Sequence, residues 1–151
     1  MKITAVEALV LRLPHVAAAC DGTQDTCLVR VDTDAGISGW GEVDSCPEAV
    51  KAVIDAPYSH TQSCGLARTV VGLDPLAIEV ANERMRRAAV YYAGGGVAVH
   101  AMAGIDIALW DIAGKALGQP VGKLLGARYR DHVPVYASTL FRPTPDAMRA
   151  A

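Results

Sequence analysis

The chain has 151 residues, 52% hydrophobic and 20% charged, with 14 Lys and Arg against 16 Asp and Glu, a net charge of -2 and a pI near 6.0. That length suits one compact domain with a real core and is short for two independent ones. The charge balance gives no reason to expect nucleic acid or an anionic membrane as a partner, and no uninterrupted apolar run approaches the ~20 residues of a membrane span. Met1 to Glu7 carries charge within its apolar run and lacks the layout of a secretory signal, so a cytoplasmic protein is expected. Cys20, Cys27, Cys46 and Cys64 contain no Cys-x-x-Cys pair, and reduced thiols, some of them buried, are expected rather than a zinc or redox site.

Residues 3 to 13, "ITAVEALVLRL", alternate imperfectly and stop at Pro14, which predicts a strand with one buried face. "PHVAAACDGTQD", residues 14 to 25, follows as a loop of small residues. "TCLVRVDT" alternates cleanly, Asp34-Ala35-Gly36 makes a tight turn, and "ISGWGEV" returns, so residues 26 to 43 form a hairpin and the chain opens as a small antiparallel sheet. Residues 48 to 56 suit a short helix, whereas 57 to 73 give no clear signal. Asp74 as N-cap with Pro75 at the first helical position predicts a helix through about Tyr91, with Ile78, Ala81, Met85 and Ala88 inward and Gly94 to Gly96 ending it.

The next helix is expected from about Val97 to Leu117, with Met102, Ile105, Leu109, Ile112 and Ala116 on its buried face, Gly118 as C-cap and Pro120 preventing continuation. "VGKLLGA" predicts a compact turn that tucks Leu124 and Leu125 into the core. "HVPVYAST", residues 132 to 139, reads as a strand, and Thr144-Pro145-Asp146 as the start of a helix.

The residues that could carry chemistry do not assemble into a familiar constellation. Asp106 and Asp111 lie on one helix about 140° apart around its axis, so they cannot form a facing acid–base pair. Asp111 is four residues before Lys115, away from the apolar face, and is expected to form a surface ion pair. Asp106, at the border of that face, is expected to tether a neighbouring segment. "GISGWG" reverses the dinucleotide-binding fingerprint and opens no helix, and Gly94 to Gly96 lack a following Gly-Lys-Ser/Thr, so these glycines mark turns, a flexible connection and a strand packed against a close neighbour. His15, His60, His100 and His132 are not at metal-ligand spacing.

The element order, together with "AGIDIALWDIAGKALGQPVGKLLG" and "GISGWGEV", resembles the N-terminal part of the mandelate racemase and muconate lactonizing enzyme group of the enolase superfamily. The likeness covers almost the whole chain, with Ala127 where relatives usually carry a second glycine. It implies an α+β capping domain over residues 1 to 125, a three-stranded antiparallel sheet followed by helices. Residues 126 to 151 would then be a linker, the first strand and the start of the first helix of a truncated (β/α) barrel. Such a barrel takes ~250 residues.

Enzymes of that group abstract the proton α to a carboxylate and stabilise the enediolate on Mg²⁺, using bases and carboxylate ligands on later barrel strands. The resemblance therefore implies Mg²⁺ for a full-length enzyme, no metal ligands in this chain, and no activity for the 151 residues alone as a partial product. It implies a small carboxylate or sugar-acid substrate, and a homo-oligomer is compatible with it. Two capping loops, matching residues 15 to 25 and about 44 to 50, would contact the distal part of that substrate and exclude water. The candidates for substrate contact are Cys20, Asp21, Thr23, Asp44 and Ser45, with Ser138 at the end of the first barrel strand. The pattern favours an acid-sugar dehydratase; the alternatives are a racemase, epimerase or cycloisomerase of the same group, and a non-catalytic ligand-binding or interaction module.

Overall fold

The structure, a computed structural model, describes residues 1–15, 24–44, 46–60, 63–92, 94–126, 129–136 and 144–149. Three strands, β1 (Ile3–Arg12), β2 (Asp25–Thr33) and β3 (Ser38–Val43), form an antiparallel sheet in that order. Among the described residues six helices follow: α1 (Pro47–Asp55), α2 (Leu66–Val70), α3 (Ile78–Ala88), α4 (Val97–Leu117), α5 (Val121–Leu124) and α6 (Pro145–Arg149).

The imperfect alternation of β1 has a local cause. Ile3 pairs with Thr33 but Ala5 pairs with Asp32, so one extra residue is inserted between them. That bulge reverses side-chain parity, and the odd-numbered Ile3 and even-numbered Ala8 both reach the core. On β2, Cys27, Val29 and Val31 face inward without interruption. The turn between β2 and β3 is closed by Thr33, whose hydroxyl donates to the Ile37 carbonyl at 2.8 Å, with Gly36 supplying the left-handed φ of 74°.

Helix α4 lies across the inner face of the sheet, antiparallel to β3, and its fit depends on missing side chains. A Cβ on Gly39 would overlap the Ala108 carbonyl oxygen, and one on Gly41 would overlap that of Gly104. From the opposite side, a Cβ on Gly104 would come within 2.6 Å of Val43 Cγ2 and 2.9 Å of Val29 Cγ2. The two backbones are therefore in direct contact, as the strand glycines suggest. The buried face of α4 is wider than the predicted stripe: Ala98, Ala101, Gly104, Ile105, Ala108, Leu109, Ile112 and Ala113 are buried. Met102 is only half-buried and Ala116 is exposed, because small residues let the backbone of α4 approach β3 and shift the packed face toward Gly104 and Ala108. By length and composition α4 could cross a membrane; here its apolar face packs on the sheet and α1.

The helix expected from Asp74 starts later. Asp74 Oδ1 accepts from the Leu76 amide at 3.0 Å and caps a single turn, but Ala77 (φ −85°, ψ 56°) leaves the helical region and α3 begins at Ile78. It ends at Ala88 and continues as turns through Tyr92; Ile78, Ala81 and Met85 are buried as expected, Ala88 is half-buried and Ala89 is fully inside. In the unassigned stretch, α2 buries Leu66 and Val70. The segment after it is stitched to β1 by Ile3 N to Leu73 O (2.9 Å) and Gly72 N to Ile3 O (2.8 Å).

Two expectations near the end of the chain are corrected. Leu124 packs on the core from α5, but Leu125 is exposed, since neighbouring residues on a single helical turn point about 100° apart and cannot both face inward. Residues 132–136 form no strand: among the described residues no neighbouring strand pairs with them, and Val133, Val135 and Tyr136 are 66%, 89% and 88% exposed. Residues 137–139 of that predicted strand lie outside the described residues, whereas the helix predicted from Thr144 is present as α6.

Candidate functional site: the loop-bearing end of the sheet

Antiparallel pairing fixes where the two candidate loops arise. Arg12, the last residue of β1, pairs with Asp25, the first of β2, and Val43, the last of β3, pairs with Cys27. The β1–β2 connection and the β3–α1 connection thus leave the sheet at the same end. The turn joining β2 to β3 is at the other.

At that end Arg12 joins three elements. Its Nη2 donates to Asp25 Oδ2 at 2.9 Å and lies 2.6 Å from Glu48 Oε1 at the start of α1. The hydrogen bond to Asp25, with the nearby charge of Glu48, raises the guanidinium pKa above its ordinary value. Beside it the Thr26 hydroxyl lies 2.9 Å from Glu42 Oε1 and 3.2 Å from the Val43 carbonyl. Arg12, Asp25, Thr26 and Glu42, with Leu11, Leu13 and Gln24, line a shallow cavity of about 290 Å³. Chain order predicts loops here, but nothing in the sequence distinguishes Arg12 as the residue that holds their roots together.

Of the predicted contact residues, Asp44 is described, directly after β3 and two residues along the chain from this cavity's Glu42; it makes an interaction of its own. Cys20, Asp21, Thr23, Ser45 and Ser138 lie outside the described residues. Cys46, next to Ser45, adopts a left-handed φ of 46° as it turns the chain into α1. Its thiol is exposed, whereas Cys27 and Cys64 are buried and desolvation raises the Cys27 pKa.

The two helix carboxylates are placed structurally. Asp106 accepts from Asn82 Nδ2 on α3 at 2.8 Å, the expected tether between helices. Asp111 pairs with Lys115 at 2.6 Å as expected, but the pair does not simply face solvent. Asp111 Oδ2 also accepts from the Trp40 amide at 2.9 Å, and Lys115 Nζ donates to the Ser38 carbonyl at 2.7 Å, so together they satisfy the outer edge of β3. Among the described residues, no group of three or more His, Cys, Asp or Glu is placed to hold a metal ion.

A three-stranded antiparallel sheet covered by a long helix, with the β1–β2 and β3–α1 connections leaving it at one end, defines an α+β domain of the kind that opens enolase-superfamily chains. The chain belongs to the mandelate racemase / muconate lactonizing enzyme family, whose N-terminal domain matches residues 1–126. It is 41% identical to a D-galactonate dehydratase of Variovorax paradoxus over 111 residues and 44% identical to one of Xanthomonas campestris pv. campestris over 110; each alignment covers 72% of this chain and 26% of the relative. Among solved structures it is similar to the 3,6-anhydro-D-galactonate cycloisomerase of Zobellia galactanivorans (TM-score 0.68, 33% identity, 84% of this chain and 32% of that one). A mandelate racemase/muconate lactonizing protein of Paracoccus denitrificans complexed with magnesium is equally similar (TM-score 0.68, 34% identity, 85% and 31%). The alignments with the curated relatives span about a quarter of those proteins' length.

Proposed function

We propose that this domain caps the active site of a Mg²⁺-dependent acid-sugar dehydratase in the cytoplasm, an enzyme that removes the proton α to a carboxylate and expels water. The observation that carries the reading is the convergence of both candidate loops on one acceptor-rich end of the sheet. Asp25 and Glu48 pair there with Arg12, Glu42 lines the same cavity, and Asp44 directly follows β3 at that end. Carboxylates and carbonyls accept hydrogen bonds from hydroxyl groups and repel a substrate carboxylate. Such an end suits the hydroxylated tail of a sugar acid, with its reacting carboxylate directed away from the cap. The dehydratase relatives, and the cycloisomerase neighbour whose name also specifies a galactonate derivative, support the same substrate class.

In this reading Cys20, Asp21, Thr23, Asp44 and Ser45 contact the distal hydroxyls, Ser138 lies nearer the reacting end, and the loops exclude water. Among the described residues no group of three or more His, Cys, Asp or Glu is placed to hold Mg²⁺; the family resemblance puts the base and metal ligands on the barrel, and no catalytic step is assigned to this domain.

A chimera tests the assignment. Residues 1–126 replace the matching portion of a D-galactonate dehydratase, and Asp21→Ala and Asp44→Ala are compared with the parent chimera. Each is expected to raise KM for the sugar acid severalfold with a smaller change in kcat, while the 151-residue chain alone turns over no sugar acid with Mg²⁺. Turnover by that chain, or KM values indifferent to both substitutions, would overturn the proposal; saturable sugar-acid binding without any effect in the chimera would favour a non-catalytic module.

A further inference from the structure

Away from the loop-bearing end, helices α2 and α3 border a cleft of about 600 Å³, within the size range of small-molecule sites. Arg68 reaches it from α2, Arg84, Arg86 and Arg87 from α3, and Tyr58 and Val90 supply apolar wall. The chain as a whole has a net charge of -2, yet residues 56–73 and 84–105, which supply these walls, contain no Asp or Glu.

The local pairing leaves positive charge in excess. Glu83 is shared between Arg86 (2.7 Å) and Arg87 (2.6 Å), and their hydrogen bonds lower its pKa below the ordinary value. Arg68 donates Nε to the Ala56 carbonyl at 3.3 Å and holds its guanidinium 5.5 Å from the centre of the Tyr58 ring, so it is positioned without being neutralised. Among the described residues Arg84 has no carboxylate within ion-pair distance. The carbonyl ends of helices favour nearby cations, which accounts for Arg68 and Arg87 singly. It does not require cations from two helices to converge on one cleft.

We propose that this cleft binds a phosphorylated small molecule, with Arg68, Arg84 and Arg87 holding its phosphate. Guanidinium forks match phosphate oxygens in pairs, and a multiply charged oxyanion offsets several of them where a monocarboxylate offsets one. Tyr58 and Val90 provide the surface for the less polar part of such a ligand.

Inorganic phosphate and pyrophosphate titrated into the 151-residue protein at fixed ionic strength, followed by calorimetry and by the backbone and arginine Nε resonances, test the site. Saturable binding with shifts centred on α2 and α3 is expected, tighter for pyrophosphate than for phosphate. Arg84→Ala should weaken it tenfold or more at unchanged melting temperature, whereas Arg149→Ala on α6 should have no effect. Galactonate is expected not to saturate the site. Absence of saturable pyrophosphate binding, equal affinity for galactonate, or indifference to both Arg84→Ala and Arg68→Ala would overturn the proposal. So would binding to vesicles of phosphatidylcholine with phosphatidic acid in the absence of binding to free pyrophosphate.

Discussion

Replacing Gly41 by alanine should be among the most damaging single-methyl additions to this domain. The new Cβ would overlap the Gly104 carbonyl oxygen, 2.9 Å from that residue's carbonyl carbon and 3.2 Å from the Ala108 nitrogen. All three atoms belong to the α4 backbone, so no side-chain rotation relieves the contact and β3 must separate from the helix. Overpacking in a close-packed core costs about 1–3 kcal/mol, occasionally more, and a clash with backbone places Gly41→Ala at or above the upper value. Against a total of about 5–15 kcal/mol this is a large fraction, and a loss of about 3 kcal/mol lowers the melting temperature by roughly 10 °C in a domain of this size. Gly104→Ala should be milder, because its Cβ meets movable methyl groups of Val43 and Val29 and gains about 0.8–1 kcal/mol of helix propensity. Gly94→Ala, which faces open space, should stay within about 0.5 kcal/mol of the parent. Urea unfolding followed by circular dichroism ranks the three. A Gly41→Ala protein within about 1 kcal/mol of the parent, with an unchanged denaturant slope, would refute the direct backbone contact.

Two further substitutions probe the edges of the fold. Asp111→Ala removes the acceptor for the Trp40 amide and the partner of Lys115, and should cost about 1–2 kcal/mol, with faster amide exchange at Trp40 than at Val29 as the local signature. Glu83 should titrate below the ordinary value of 4.5, first because of Arg87 and then Arg86. Its stabilising contribution is therefore present above the ordinary carboxylate range and lost as pH falls through its folded midpoint. Carbon-detected titration of the side chain checks this, and Arg87→Ala should move the midpoint back up.

The sequence signals that proved accurate were the ones backed by several residues acting together. The clean alternation of Cys27, Val29 and Val31 defined β2, and Gly118 with Pro120 defined the end of α4, because pattern and capping chemistry agreed. Helix α2 escaped notice since five residues cannot display a 3.6-residue period. The start of α3 was misplaced because Asp74-Pro75 caps an isolated turn as well as it caps a helix, and the break depends on the conformation of Ala77. Within the strand expected at residues 132–139, the described residues 132–136 have the right composition, but a strand depends on hydrogen bonds from a neighbour, and composition cannot supply one. At the candidate site, the loop positions followed from chain order. The role of Arg12 did not, because it depends on Asp25 and Glu48 arriving from two other elements.

The glycine contact between β3 and α4 also bears on how this domain could be re-engineered. Gly39 and Gly41 meet a helix that begins more than fifty residues later in the chain, so the two quoted sequence signatures are halves of one mechanical joint. Bulk added to one half has no room unless the other half retreats, and such changes would have to be made in pairs. The segments between β1 and β2 and between β3 and α1 leave the sheet past that joint, at ends linked by Arg12 through Asp25 and Glu48. A designer could therefore exchange those segments for others and leave the joint intact, treating the sheet and α4 as a fixed mount for interchangeable loops.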